Sequence, residues 1–202
     1  MSSVVTIEPR RHQIVRPIER GRAALGMIAF IATEAALFAA LFLSYWYLSR
    51  GRLSWPPPPL EPPKLGLASL MTLLLLSSSA ALQWAGAGIR AGNLPRLRLG
   101  LVLTVLLGGS FLVTQVFEYR DYLKHVQPKS GAYGSIFYLI TSVHGAHVLV
   151  GVLMLCYVGL QARAALFTAQ RHQAVRLVSW YWHFVDVVWI GIFAMLYIRP
   201  HV

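Results

Sequence analysis

Apolar residues along the chain gather into five long runs, at 23–48, 65–89, 97–119, 133–160 and 177–198, divided by short polar or basic stretches. Each run exceeds the roughly 20 residues a helix needs to cross a bilayer. Runs of this length without period-two alternation exclude the short strands of a membrane barrel. The pattern predicts an all-α, polytopic membrane protein with five transmembrane helices. Short connections make sequence neighbours antiparallel, so the helices form an antiparallel bundle. Residues 1–22 are set off as an arm, and residues 23–202 form one transmembrane domain.

The breaks between runs have their own chemistry. Between the first two lies "RLSWPPPPLEPPK", six prolines in thirteen residues, which neither continues a helix nor joins a sheet. It reads as a stiff, polyproline-like surface loop that places Trp55 near the headgroups. In "AGNLPRL", Gly92 and Asn93 stop the second helix and Pro95 stands near the start of the third.

Composition agrees with the pattern. Of 202 residues, 56% are hydrophobic and 12% charged, whereas a soluble domain carries about twice that charged fraction. No signal peptide is visible: Arg10, Arg11, Arg16, Arg20 and Arg22 precede the first run, and no small-residue cleavage site follows a short apolar core. The first 22 residues therefore read as a retained cytoplasmic arm. The net charge of +11 is scattered between spans as topology signals, without the long basic run or amphipathic basic face that nucleic acid would require. Cys156 is the single cysteine and lies within an apolar run, which excludes an internal disulfide or a site needing two thiolates from this chain. With the N-terminus inside, the inner segments hold eleven Lys and Arg and the outer segments seven. That bias predicts a cytoplasmic N-terminus and an external C-terminus.

Ionisable residues inside the spans carry the most information, because a charge at mid-bilayer costs about 3 kcal/mol on insertion scales. Glu34 lies about eleven residues into the first span, roughly 17 Å along the helix. His183 and Asp186, in "WYWHFVDVVWIGIF", enter the fifth span from the same side and reach overlapping or shallower depths. A contact between Glu34 and His183 is therefore open. His144 and His147 in "SVHGAHVLVG" are three residues apart and share a face of the fourth span. Such a pair, with His183 and Asp186, could supply ligands to zinc, copper or haem. Gly145 and Ala146 between the histidines equally suit close helix packing with imidazole hydrogen bonds across the interface. Glu118 stands near the outer end of the third span and, with Arg120, reads as an interfacial feature. No Gly-rich phosphate cradle or nucleophile elbow occurs. In the inner loop before the fifth span, Arg163, Arg171 and Arg176 lie at the level of anionic headgroups. An arginine fork there suits a lipid phosphate.

Several of these stretches resemble, in order, those of the cytochrome c oxidase subunit 3 family, subunit III of the haem–copper oxidases. "WYWHFVDVVW" is similar to that family's signature almost letter for letter, and "YGSIFYLITSVHGAHVLVG" to its pattern of Tyr-Gly-Ser followed by His-Gly-Leu-His-Val and glycine. "EAALF", "WPPPP" and "TQVFEY" resemble its glutamate segment, its Trp-Pro-Pro loop and its Gln-x-x-Glu-Tyr. Many members have seven spans, so this chain resembles the short bacterial form that lacks the first two. Ala146 stands where leucine is usual, and Val143 where phenylalanine is common.

The resemblance implies a non-redox accessory subunit of a proton-pumping aa3-type cytochrome c oxidase in the bacterial plasma membrane. Catalytic residues and metal ligands are then expected to be absent from this chain, with haem A and copper held by partner subunits I and II. A small subunit IV, a respiratory supercomplex and membrane phospholipids are the further partners it implies. It also implies that Glu34 corresponds to the family's membrane-buried, carbodiimide-reactive glutamate, and that His183 and Asp186 are buried polar partners fixing the helices. Subunit III of a quinol oxidase and the short homologue accompanying nitric oxide reductase remain open, since the other subunits choose the electron donor. A self-standing proton or solute carrier is a reading of another class. No repeated half and no Gly/Pro-broken helix pair supports it.

Overall fold

The computed structural model describes residues 17–201. Residues 1–16, most of the predicted arm, lie outside the described residues. Five helices follow one another: α1 (Pro17–Ser49), α2 (Leu65–Arg90), α3 (Leu94–Tyr122), α4 (Ala132–Arg163) and α5 (Gln173–Ile192). All five spans are long and apolar enough to cross a membrane. The backbone of α5 then widens into a π-helical turn over Phe193–Ile198 and closes in a 3₁₀ turn, Arg199–His201. No strand occurs among the described residues.

The helices run past the apolar runs at several ends. The first begins at Pro17, six residues before the predicted start, so residues 17–22 belong to α1 and not to a separate arm. Apolar length measures the hydrocarbon layer, whereas backbone hydrogen bonding continues into the interface. The α2–α3 break follows the expected chemistry. Gly92 takes a left-handed φ of 75°, and the Asn93 side chain accepts a 2.9 Å bond from the Arg96 N–H, capping a helix with proline in its first turn.

The proline loop keeps Leu53, Ser54, Pro58 and Pro59 exposed, as expected of a surface loop, while Trp55 turns inward. Trp55 packs edge-on against Tyr45 of α1 and Tyr133 of α4, with ring centroids 6.0 and 5.3 Å apart. The Glu61 carbonyl accepts a 2.9 Å bond from the Tyr122 hydroxyl. Those aromatic partners draw the loop over the end of the bundle where α1 finishes and α2 begins.

The core centres on α5. Trp182 is fully buried, and its indole N–H donates to Ser78 of α2 at 2.9 Å. Its ring edge lies where any side chain at Gly108 of α3 or Gly151 of α4 would stand, with a Cβ at either position falling 2.6–2.7 Å from it. One side chain thus joins four helices. In contrast, α1 sits at the margin and packs chiefly on α4 and α5. Its inward stripe is Met27, Ile31, Glu34, Phe38, Leu41, Tyr45 and Leu48, a three-to-four residue spacing characteristic of one helix face.

Candidate functional site: polar seams within the bundle

Among the cross-helix polar contacts, two seams hold Glu34, His147, His183 and Asp186. The first joins α2 and α5. The Ser79 hydroxyl hydrogen bonds to the Asp186 carboxyl and lies 2.8 Å from His183 Nδ1. A hydroxyl has one proton to give. With that proton directed at Asp186, His183 Nδ1 is the donor to Ser79, and the chain runs His183 to Ser79 to Asp186. His183 Nδ1 is itself 3.6 Å from the same carboxylate oxygen. One turn further along α5, the Trp189 indole donates to Thr72 at 3.0 Å. Positions 182, 183, 186 and 189 share one face of α5, and Thr72, Ser78 and Ser79 meet it from α2, the higher numbers of one helix opposite the lower of the other. The antiparallel arrangement is visible in the contacts themselves.

The second seam joins α1 and α4. His147 Nε2 lies 2.8 Å from Glu34 Oε2, with both side chains largely covered. His147 Nδ1 lies 2.7 Å from the Val143 carbonyl. A carbonyl only accepts, so Nδ1 carries a proton. One further proton then sits between Nε2 and the carboxyl: either a carboxylic acid donates to imidazole, or imidazolium donates to carboxylate. The pair is neutral overall in both forms, which suits a low-dielectric setting. Neighbouring His144 is fully buried. Its Nε2 donates to the Val185 carbonyl of α5 at 3.2 Å, and its ring packs among Phe38, Phe111 and Trp189.

This geometry resolves the open contact of Glu34, covers Glu118 and separates the two histidines of α4. Glu34 meets His147 and not His183, which α2 holds through Ser79. Glu118 is buried and accepts a 2.9 Å bond from the Tyr197 hydroxyl. Tyr197 of the π-helical turn covers it while Arg120 remains exposed, so the two do not form one feature at the end of α3. His144 and His147 have different partners, and both nitrogens of His147 are engaged, so the pair does not converge on one point.

Comparison with known proteins agrees with the motifs on these seams. The family description "Cytochrome c oxidase subunit III" matches residues 11–200. The chain belongs to the cytochrome c oxidase subunit III family. It is 36% identical over 199 residues to "Probable cytochrome c oxidase subunit 3" of Mycobacterium tuberculosis (strain CDC 1551 / Oshkosh), covering 97% of this chain and 96% of the relative. A Corynebacterium diphtheriae subunit 3 is 39% identical over 178 residues, 86% of each chain. The subunit 3 of Petromyzon marinus is 36% identical over 189 residues, covering 90% of this chain and 70% of its own length.

As a subunit III family member, the chain is a membrane-embedded component that associates with other oxidase subunits. Its arginines divide between places. Arg163 lines a groove between α3 and α4. Arg171 and Arg176 instead border a depression with Gln161 and His172, and Arg176 also lies 5.4 Å from the Trp180 ring. Sequence reasoning missed Ser79, Ser78, Thr72 and Tyr197. The available signal was "SSS" at 77–79, polar residues within an otherwise apolar span.

Proposed function

We propose that this chain is the non-redox accessory subunit III of a proton-pumping aa3-type cytochrome c oxidase. In this reading it stabilises subunit I, holds lipid and supports proton uptake. Haem A and copper reside in partner subunits I and II. The complex sits in a bacterial plasma membrane with this chain's N-terminus cytoplasmic and its C-terminus external, following the eleven-to-seven basic bias.

The observation that carries the reading is the use to which the intramembrane polar groups are put. His183, Asp186 and Ser79 tie α2 to α5, and Glu34 and His147 tie α1 to α4. They are spent on two different helix pairs and do not converge on one substrate-sized site, which favours a scaffold over a carrier. The Glu34–His147 pair, with its one shared proton, is where a part in proton uptake would reside.

Purification of the native complex in mild detergent, followed by its haem spectrum and subunit composition, tests the proposal. Haem A with a copper-bearing subunit II is the expected result. Other haems with quinol oxidation would assign the chain to a quinol oxidase, and a complex without haem would overturn the oxidase assignment.

A further inference from the structure

A small pocket of about 80 Å³ opens at the end of the bundle where α1 finishes and α2 begins. Glu61, Lys64, Leu67, Glu118, Asp121 and His125 line it. Glu118, Asp121 and Tyr122 share a face of the last turn of α3. The turn that follows brings His125 to the same place, its N–H donating to the Tyr122 carbonyl at 3.0 Å. Glu61, Lys64 and His125 are exposed, whereas Glu118 is 6% exposed. The pocket therefore leads from the surface to a buried carboxyl.

That carboxyl is half satisfied. Oε2 accepts from the Tyr197 hydroxyl of the π-helical turn at 2.9 Å, while Oε1 is buried and has no hydrogen-bond partner among the described residues. The neighbouring donors are committed elsewhere. The Tyr122 hydroxyl donates to the Glu61 carbonyl, that of Tyr119 to Thr141 of α4 and that of Tyr138 of α4 to the Val126 carbonyl. Gln115, one turn back, gives its amide to the Thr141 carbonyl at 2.8 Å. Lys64 Nζ stands 3.0 Å from Asp121, and Lys124 also pairs with that aspartate. A buried carboxyl oxygen left unpaired costs about 1–3 kcal/mol or more, so the donor to Oε1 comes from the pocket.

Two kinds of occupant suit such a place, a metal ion or water. No three of the His, Asp and Glu side chains converge to hold a metal among the described residues, and the Lys64 ammonium already lies in the pocket. Water fits: one molecule needs roughly 10–15 Å³, and the pocket has room for a few. We infer that this pocket is a proton-exchange site, in which water carries protons between the adjoining aqueous phase and Oε1 of Glu118. On uptake a hydrated proton gives up one O–H bond and becomes water, and the Glu118 carboxylate gains that O–H bond. Release is the reverse. Glu61 and His125 form no ion pair among the described residues and stand at the mouth as the first groups an arriving proton meets.

The test uses the assembled complex in sealed vesicles, with the medium on each side exchanged in turn and the carboxyl C=O band followed by infrared difference spectroscopy. The band of Glu118 is the one that Glu118→Gln lacks, a change that leaves a carbonyl to accept from Tyr197. Acidifying the side where α1 finishes and α2 begins should populate this band, and D₂O on that side should shift it on mixing. The opposite compartment should have no effect. Leu67→Trp, a larger side chain at a half-buried position of the wall, should abolish the fast shift while the band persists. A band absent at every pH the complex survives, indifferent to D₂O, following the opposite compartment, or exchanging as fast in Leu67→Trp would overturn the assignment. Haem content tests the oxidase reading separately, so failure of one is distinguishable from failure of the other.

Discussion

Helices α1 and α5 are both long, apolar and marked by an acidic residue, yet they hold opposite places. In the most apolar window of α1, only 6% of residues are buried inside the bundle, against 50% for α5. The first helix presents one stripe to α4 and α5 and leaves Leu25, Ile28, Leu43 and Tyr47 exposed. The fifth is enclosed and has indole, imidazole and carboxyl groups bonded to α2. Hydropathy does not separate these roles, because lipid and protein interior both accept apolar side chains. The number of cross-helix polar bonds does.

If that contrast is right, Trp182→Ala should have the largest effect. It removes a fully buried side chain that touches α2, α3 and α4, a change that costs about 3–5 kcal/mol in protein cores. Thermal dissociation of the subunit from its complex, followed on native gels, should begin at markedly lower temperature. Ser79→Ala should come next, at about 1–3 kcal/mol, because it strips the hydrogen bond from both His183 and Asp186 inside the bundle. The same dissociation assay should place it clearly below the native chain, and a neutral result would mean that the α2–α5 seam is not what holds α5.

On the other helix, Glu34→Gln should cost under about 1 kcal/mol, since an amide N–H can still donate to His147 Nε2. Oxygen consumption should survive and carbodiimide labelling at this position should vanish. Loss of oxidase activity with normal haem content would give Glu34 an obligatory part in proton supply and sink the accessory reading. Smallest of all, Leu25→Ala on the outer face of α1 should fall within about 0.5 kcal/mol of the native chain. A larger effect would reveal that a partner subunit covers this face.

The five helices were legible because long apolar runs carry one dominant signal, and their loops because Gly92, Asn93 and Pro95 are strong punctuation. The site was legible only in depth. Position along a helix follows from counting residues, so Glu34, His147, His183 and Asp186 could each be assigned to the membrane interior. Which helix each faces depends on rotation and packing, and there the Glu34–His147 pairing had no sequence signature. Serine adds a second difficulty. Thr72 and Ser78 each bond a backbone carbonyl three or four residues back, so hydroxyl residues in such a span read as locally satisfied until the opposing helix is known. The partner of Glu118 was hidden for a related reason: Tyr197 stands 79 positions away.

The position of Trp182 has a consequence for biogenesis. The ribosome makes α5 after α2, α3 and α4, so those helices are synthesised before the residue that joins them. Until then Gly108 and Gly151 face a gap shaped for an indole, and Ser78 lacks its donor. A nascent chain stopped before α5 therefore lacks the side chain that fills that gap. Closure of the bundle around Trp182 therefore follows synthesis of α5, and a partner that recognises only the closed form would engage the chain after that helix is made.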